Sequence, residues 1–392
     1  MVRPRFFNFL LGWMILFAVI AVNAQRSGKT TNPTQNQVAA PATQSAQANA
    51  AIFSQISEKP NKWMALAAKT NGLAGLNDRP WHVKYTVQSF DEDGKPLRSG
   101  TLEEWWESAK KYKYIYAAPG FEQTTYGSGK NEIVTGDPGW PAIKIVADMV
   151  GEYLWTPLPP ARVAVNPHYD VQHRMIGQVE LTCLQPISMS PLLEEDAVTL
   201  MAKDAHFVPT TCFSDGSAAA RVVINHYGLI ALLNNFVQFD GHYIAKQIAL
   251  ENGNVIAAKL NVVQLDFPNS IPDAEFDRPS VSPPPAAAGE IEVPAPVMTK
   301  FFISRDKFEY PTDAGKQHIS GYVVLYLHID QKGHVAKVQG VMGPRILLDP
   351  VMRWAKTFKY HPYKVKGKAV EVKTMFTVFF RDLGKSQGQR HE

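Results

Sequence analysis

The sequence predicts an α+β fold with two parts: a large antiparallel sheet that can curve into a half-barrel, and a small C-terminal ββαβ unit. Many short segments between residues 81 and 265 alternate apolar and polar residues and are separated by turn residues, as antiparallel strands are. A Pro-rich segment ends this pattern, and the order strand, strand, helix, strand follows it. With 45% hydrophobic and 19% charged residues among 392, the composition is that of a globular protein.

The N-terminal residues 1–24 carry an export signal. Arg3 and Arg5 precede an apolar run over residues 6–22, and the sequence Val-Asn-Ala at 22–24 fits a signal-peptidase site. The run is also close to the shortest length that spans a membrane as a helix, so a cleaved signal peptide and a retained inner-membrane anchor both fit. Either one places the rest of the chain in the periplasm or elsewhere in the cell envelope.

The segment after the signal is predicted to be a tether followed by a sheet-rich domain. Residues 25–50 consist mostly of Gln, Asn, Thr, Ser, Ala and Pro, a composition typical of disordered tethers. Residues 51–278 form the predicted antiparallel domain. Its strands are expected at 81–88, 99–107, 111–117, 122–126, 178–184, 221–226, 241–250 and 255–265, and its helices at 61–70, 143–154 and 190–202.

Two cysteines, Cys183 and Cys212, lie in this domain. The periplasm and the extracellular space oxidise thiols, so in an exported chain the two can form a disulfide. Closing a loop of about 29 residues would stabilise the fold by about 3–4 kcal/mol. Two buried free thiols are the alternative interpretation.

Charge and composition both change at residues 279–298, which are predicted to be an interdomain linker. Six of these twenty residues are Pro, which favours an extended, semi-rigid chain. Beyond the linker, residues 299–392 hold 17 Lys and Arg against 8 Asp and Glu, whereas the chain before them is mildly acidic. A basic module on an exported protein favours an acidic protein partner or anionic headgroups over nucleic acid.

The sequence of the C-terminal module predicts the order strand, strand, helix, strand. Residues 321–330 alternate as a strand, a turn follows at 331–333, and residues 334–341 return as a second strand. Leu348, Val351 and Phe358 fall at helical spacing, and residues 370–380 form the last strand.

Ordered motifs in this module resemble the C-terminal domain of the TonB family. The matching motifs are Tyr310-Pro311, Gly321-Tyr322-Val323-Val324, Ile329-Asp330, Gly333, Val335, Gly343-Pro344, Leu347-Leu348, Trp354, Phe358-Lys359-Tyr360-His361-Pro362, Gly367-Lys368-Ala369-Val370 and Phe379-Phe380.

This resemblance implies a periplasmic domain that captures an extended peptide, the TonB box, of an outer-membrane TonB-dependent receptor or a similar envelope protein. Capture would occur by strand addition at a sheet edge, linked to transmembrane transport. By motif position, the expected partner-binding residues are Tyr310, Pro311, Val370, Val372, Thr374, Phe376 and Val378. The alternative is that Val372, Phe376 and Val378 are core residues and that the protein's own tail caps the edge. The short linker and the intervening domain depart from TonB itself, so energy transduction does not follow from the resemblance.

The sheet-rich domain weakly resembles the LolA-type lipoprotein carriers, through the aromatic-rich hairpin over residues 81–106 and the strand over 243–250. That resemblance implies an apolar ligand, such as an acyl chain, on a concave face lined by Trp81, Tyr85, Trp106, Tyr114 and Ile115. Ordinary sheet core packed under a helix is the alternative, because any half-buried strand needs apolar residues at alternate positions.

The sequence contains no convincing catalytic motif, so we expect neither an enzyme nor a cofactor. Residues 127–130 fail as a phosphate loop, because Thr124 stands where the first Gly should be. His168, Asp170 and His173 form the only His and carboxylate cluster, in a segment expected to be a loop. Scattered surface histidines account for this cluster better than a zinc site does.

Overall fold

The fold is described from a computed structural model covering residues 56–380, except 57, 77–78, 129–130, 138, 159–167, 187–209, 215–216, 226–228, 253–254, 278–289, 294, 318 and 320. The expected signal at 1–24, the tether at 25–50 and the helix expected at 190–202 lie outside the described residues. Within the described part, no helix is both long and apolar enough to cross a membrane.

A 12-stranded antiparallel sheet forms most of the molecule, and we call it the body together with its helices. Its strands are β1 Trp81–Phe90, β2 Pro96–Ser108, β3 Lys111–Ala118, β4 Phe121–Ser128, β5 Asn131–Gly136, β6 Tyr169–Ile176, β7 Val179–Pro186, β8 Thr210–Phe213, β9 Ala220–Ile224, β10 Leu229–Phe239, β11 His242–Asn252 and β12 Val255–Asp266. Their order is linear, from β5 through β1, β12 and β11 to β6. The sheet is therefore open, and the predicted α+β class is confirmed.

The helices of the body cover one face of this sheet. Helix α1 (Pro60–Thr70) and a 3₁₀ turn (Leu73–Leu76) precede β1, and helix α2 (Ala142–Trp155) follows β5. Strand β1 shows why one face is covered, because its residues alternate strictly between buried and partly exposed positions. The helices expected at 61–70 and 143–154 are thus present as α1 and α2.

A second, four-stranded sheet lies in the C-terminal part. Its strands are β13 Glu290–Glu292, β15 Gly321–Ile329, β16 Val335–Met342 and β20 Glu371–Phe380, and they lie in the order β13-β20-β15-β16. Short two-stranded ladders join β14 (Phe302–Ser304) to β17 (Lys359–Tyr360) and β18 (Lys364–Val365) to β19 (Lys368–Ala369). The helices are α3 Ala295–Thr299, α4 Thr312–Lys316 and α5 Arg345–Ala355.

Gly333 shows how the motif residues of this part fit together. It lies in the β15–β16 turn with a φ of +87°, which favours glycine, and a Cβ there would stand 1.9 Å from the Tyr360 carbonyl oxygen. The Tyr360 amide donates to the Gly333 carbonyl oxygen at 2.8 Å. A glycine at this turn therefore lets the chain after α5 pack directly on the first hairpin.

Both faces of the four-stranded sheet are buried. On one face, Val323, Leu325 and Val378 pack with α5 in the C-terminal core. On the other face, Tyr322 and Val324 belong to the continuous core of the body, which also contains α2. The body thus supplies the second layer that covers this sheet.

The two cysteines of the body are joined. Cys183 on β7 stands directly opposite Cys212 on β8, and the structure places a disulfide between them. The expected pairing is present, and the alternative of two free thiols does not apply.

Candidate peptide-binding edge of the C-terminal sheet

Strand β20 lies between β15 and β13 and has one edge that is only partly paired. Its inner edge pairs with β15 along the whole strand, from Gly321 opposite Phe380 to Ile329 opposite Val372. Its outer edge pairs with β13 in parallel, and that ladder ends at Glu292 opposite Lys373. Among the described residues, no strand pairs with the outer edge over residues 374–378.

One hydrogen bond fixes which backbone groups point outward. The Val293 amide donates to the Lys373 carbonyl oxygen at 2.9 Å, so the backbone groups of Lys373 point away from β15. Consecutive residues of a strand point these groups to opposite sides, and residues two apart therefore point the same way. Over residues 374–378, the outward N–H and C=O groups consequently belong to Met375 and Thr377.

The structure places the predicted strand residues in the core rather than on the surface. Val372, Thr374, Phe376 and Val378 are all buried on the α5 side of the sheet. Their backbone groups bond to β15 and cannot bond a strand added at the outer edge. These four residues could contact an added strand only through side chains on the α5 face of the sheet. Val370 precedes β20, and its amide donates to the Tyr363 carbonyl oxygen at 3.0 Å.

Tyr310 and Pro311 lie near the end of β20, as expected from their motif positions. The ring of Tyr310 is 5.7 Å from that of Phe380, and its hydroxyl donates to the Ile319 carbonyl oxygen at 2.8 Å. Pro311 is the residue before helix α4. These two residues therefore build the support behind the end of the strand.

Sequence reasoning selected alternate residues of the last strand but missed Met375 and Thr377. The period of two identifies one set of side chains that share a face, and the selected set is the apolar one. Which residues direct their N–H and C=O groups to the outer edge depends on which neighbouring strand each residue bonds. That in turn depends on the order of the strands in the sheet. Without the position of β13, the sequence had no signal that marked the odd-numbered residues.

The end of the expected linker is folded onto the edge. Residues 290–292 form β13, Val293 is 4% exposed in the C-terminal core, and Ile291 packs against the same core. Apolar side chains at 291, 293 and 298 give this segment something to bury, which the Pro-rich residues before it lack. The start of this edge is thus covered by the segment that precedes the domain. The tail after residue 380 lies outside the described residues.

A charged stripe on α2 lies beneath this region. Lys144 is buried, its Nζ lies 3.6 Å from Asp148 Oδ2 and 3.3 Å from the centre of the Trp140 ring, and Glu152 follows one turn later. Burial raises the pKa of Asp148, while Lys144 lowers it in part. Burial also raises the pKa of Glu152 to about 7. The Glu292 carboxylate of β13 is attracted by Lys144 and Lys373 and repelled by Asp148.

The aromatic face that could have held an apolar ligand is filled by α2. Trp81 and Trp106 pack against Trp155 of α2 with ring centres 5.0 and 5.2 Å apart, and Tyr85 is buried beside them. Tyr114 packs against the same core, being only partly buried. Ile115 lies on the opposite face, because neighbouring residues of a strand alternate, so the expected grouping of Ile115 with these aromatics is wrong.

A cavity of about 340 Å³ lies where the body meets β16. Ala118 and Phe121 line it from the body strands, Ala142 and Ile143 from the start of α2, and Arg98 reaches it from β2. The Gln339 side chain of β16 also lines it and donates to the Trp140 carbonyl oxygen.

The histidine and carboxylate cluster at 168–173 is not a loop cluster. Asp170 and His173 lie in strand β6, opposite Gln185 and Thr182 of β7. Because they are three residues apart in a strand, their side chains point to opposite faces. The described residues contain no group of three or more potential metal ligands.

Comparison with known families identifies the C-terminal part. Residues 306–381 match the family model described as Gram-negative bacterial TonB protein C-terminal. This part of the chain is a TonB-type C-terminal domain. The resemblance inferred from the motifs between 310 and 380 is therefore confirmed.

Solved structures resemble the two parts of the chain only at low sequence identity and low TM-score. A LolA superfamily protein from Nitrosomonas europaea is 9% identical, and the match covers 55% of this chain and 96% of that chain with a TM-score of 0.32. The TonB C-terminal domain of Pseudomonas aeruginosa is 23% identical, and the match covers 23% of this chain and 88% of that chain with a TM-score of 0.19. Scores this low do not establish a common fold. No curated protein matches the sequence significantly.

Proposed function

We propose that this chain is a cell-envelope protein of the TonB family whose C-terminal domain binds an extended peptide of an outer-membrane partner. Binding occurs by strand addition at the outer edge of β20, as part of TonB-dependent transport. The observation that carries this proposal is the edge over residues 374–378, where Met375 and Thr377 direct backbone groups away from the sheet and no described strand pairs with them.

An edge of this kind suits strand addition for two physical reasons. Backbone N–H and C=O groups at an open edge can bond any extended chain, and side-chain contacts then set specificity. The sheet behind the edge is buried on both faces, so β20 is held in place before a partner arrives. Binding to a preorganised edge avoids much of the ordering cost that a mobile segment would incur.

The charge and the export signal support the same role. The basic residues of 299–392 complement an acidic peptide, and the predicted export signal at 1–24 would direct the chain to the envelope. A periplasmic position, with an anchor in the inner membrane if residues 1–24 are retained, would bring the edge within reach of outer-membrane proteins.

The experiment is a binding titration of the full-length protein with a panel of labelled ten-residue TonB-box peptides. Thr377→Pro removes the outward N–H at the centre of the edge, while the ladder to β15 keeps all its bonds. Thr377→Val changes the same side chain and retains the N–H, so it serves as the matched control. We expect at least a tenfold loss of affinity for the proline variant and little change for the valine variant.

Equal affinity of the wild type and both variants would contradict strand addition at this edge. The proposal would also be contradicted if none of the peptides in the panel bound. If the proline variant does not fold, amide hydrogen exchange of Thr377 in the wild-type protein replaces it. Strand addition then requires that exchange to slow when the peptide is bound.

A second candidate role, carriage of an apolar ligand by the body, has one observation in its favour. The cavity beside Ala118 and Phe121 is mostly apolar and lies at the small end of the range for ligand sites, which is about 300–1,000 Å³. Native mass spectrometry of the exported protein should then show a lipid adduct that Ala118→Phe removes. Ala117→Phe, on the opposite face of β3, should retain it. Absence of any adduct under several extraction conditions would end this candidate.

A further inference from the structure

Strand β13 occupies part of the edge at which the proposed partner peptide would bind. It runs parallel to β20, with Ile291 opposite Val372 and the Val293 amide bonded to the Lys373 carbonyl oxygen. Helix α3 follows directly and also lies against β20. A partner strand that paired along the whole of β20 would therefore meet β13 at residues 371–373 and helix α3 beside it.

The structure of the segment limits how far it can cover the edge. Helix α3 begins at Ala295, so the chain is no longer extended two residues after Val293, whose amide makes the last bond to β20. The segment therefore makes a short ladder and cannot extend it along residues 374–378. A partner peptide that stays extended could make the longer ladder, so it would offer the edge more backbone hydrogen bonds than β13 does.

We infer that residues 290–293 are a built-in competitor for the edge, which the partner peptide must displace. This inference rests on the proposed function, since it concerns the same edge. The competitor is joined to the domain by a short connection, which gives it a high effective concentration. A weak three-residue ladder can therefore hold the edge closed until a better ligand arrives. The affinity for the partner is then the affinity of the open edge multiplied by the fraction of time the edge is open.

The competitor also indicates the chemistry of the partner that fits. Acidic and apolar residues alternate in Glu290-Ile291-Glu292-Val293. The apolar side chains of Ile291 and Val293 pack on the C-terminal core. The carboxylate of Glu292 is attracted by Lys144 and Lys373 and repelled by Asp148. A peptide with the same alternation would replace both kinds of contact.

Two variants release the competitor by different means. Ile291→Pro removes an N–H on the side of β13 that faces β20, because Ile291 and Val293 point the same way. Glu292→Lys replaces a carboxylate that interacts with Lys144, Lys373 and Asp148 by a cation, so it reverses the attraction to the two lysines. Glu180→Lys, on the exposed side of β7, makes the same charge change far from the edge and is the matched control.

The test is the affinity of the full-length variants for a labelled ten-residue TonB-box peptide, at two salt concentrations. We expect Ile291→Pro and Glu292→Lys to bind about tenfold more tightly than the wild type, and Glu180→Lys to bind as the wild type does. In the wild-type protein, bound peptide should also speed amide exchange at Ile291 and Val293. If Glu180→Lys increased the affinity for the peptide as much as Glu292→Lys does, the increase would be a general charge effect, and the inference would be overturned.

Failure of the inference and failure of the proposed function give different results. If the wild type binds the peptide with slower exchange at Thr377, while both variants bind no more tightly, the edge is the site and the competitor is refuted. If amides 291 and 293 stay protected in the bound wild type, the competitor is likewise refuted. If no variant binds and the edge amides do not change, both proposals are wrong.

Discussion

The two sheets of this molecule differ in how many of their faces are buried. In β1 of the body, buried residues alternate with partly exposed ones, so one face packs on helices and the other meets solvent. In β15 of the C-terminal sheet, nearly every residue is buried, because α5 covers one face and the body covers the other. The difference shows that the TonB-type domain is docked on the body through its sheet.

Docking of this kind has a consequence for the proposed binding edge. A domain tethered only by a linker would present its edge in any orientation, whereas a docked sheet holds β20 in a fixed position relative to the body. Asn252 of β11 adds a polar contact to the interface, because its side-chain amide bonds both the N–H and the C=O of Tyr322. The body therefore positions the edge as well as covering the sheet behind it.

The largest expected effect comes from placing a charge on the shared face. Val324 is 0% exposed between the two parts, so Val324→Asp buries an unpaired carboxylate. We expect the free energy of unfolding to fall by about 3–5 kcal/mol, measured by urea denaturation. Thr86→Asp on the solvent-facing side of β1 is the matched control and should cost less than about 1 kcal/mol. Equal losses in the two variants would mean that the C-terminal sheet has a solvent-facing side.

A smaller loss is expected from the polar contact. Asn252→Ala leaves the buried N–H and C=O of Tyr322 without their side-chain partner, which should lower the free energy of unfolding by about 2–4 kcal/mol. Asn261→Ala, at an exposed position of β12, should change it by less than about 0.5 kcal/mol. A loss for Asn252→Ala no larger than that for Asn261→Ala would show that Asn252 does not hold the two parts together.

Glu152, in the charged stripe on α2, should make the free energy of unfolding depend on pH. Burial raises the pKa of Glu152 to about 7, so the folded protein retains a proton that the unfolded chain loses as pH rises from about 4.5 to 7. Stability from this group is therefore lost across that range, and Glu152→Gln should stabilise the protein at pH 8 by about 1–2 kcal/mol but not at pH 4. Glu309→Gln, at an exposed position, should have no such pH-dependent effect. If Glu152→Gln stabilised the protein equally at pH 4 and pH 8, the raised pKa of Glu152 would be contradicted.

The smallest expected effect concerns β20 itself. The hydroxyl oxygen of Thr374 is buried and has no hydrogen-bond partner among the described residues. Thr374→Val keeps the shape and removes the unsatisfied hydroxyl, which should raise the free energy of unfolding by about 1 kcal/mol. A destabilised variant would mean that this hydroxyl is bonded in solution.

The sequence predicts each sheet well and predicts their contact poorly. Alternation and turn residues located most strands of the body, and ordered motifs identified the C-terminal domain. Strand β10 escaped notice because its residues are mostly apolar without a clear period. A signal for docking was present, since Tyr322, Val324 and Tyr326 make the second face of β15 apolar, as in sheets covered on both sides. Only the fold could show that the covering layer is α2 and that β13 lies on the edge, because both depend on contacts distant in sequence.

The most direct test of the proposed binding edge is amide hydrogen exchange of the full-length protein with and without a ten-residue TonB-box peptide. Strand addition at β20 requires slower exchange at Met375 and Thr377 when the peptide is bound, with Lys337 on β16 unchanged. Protection of β16 instead, or binding that leaves the amides of Met375 and Thr377 unaltered, would contradict it.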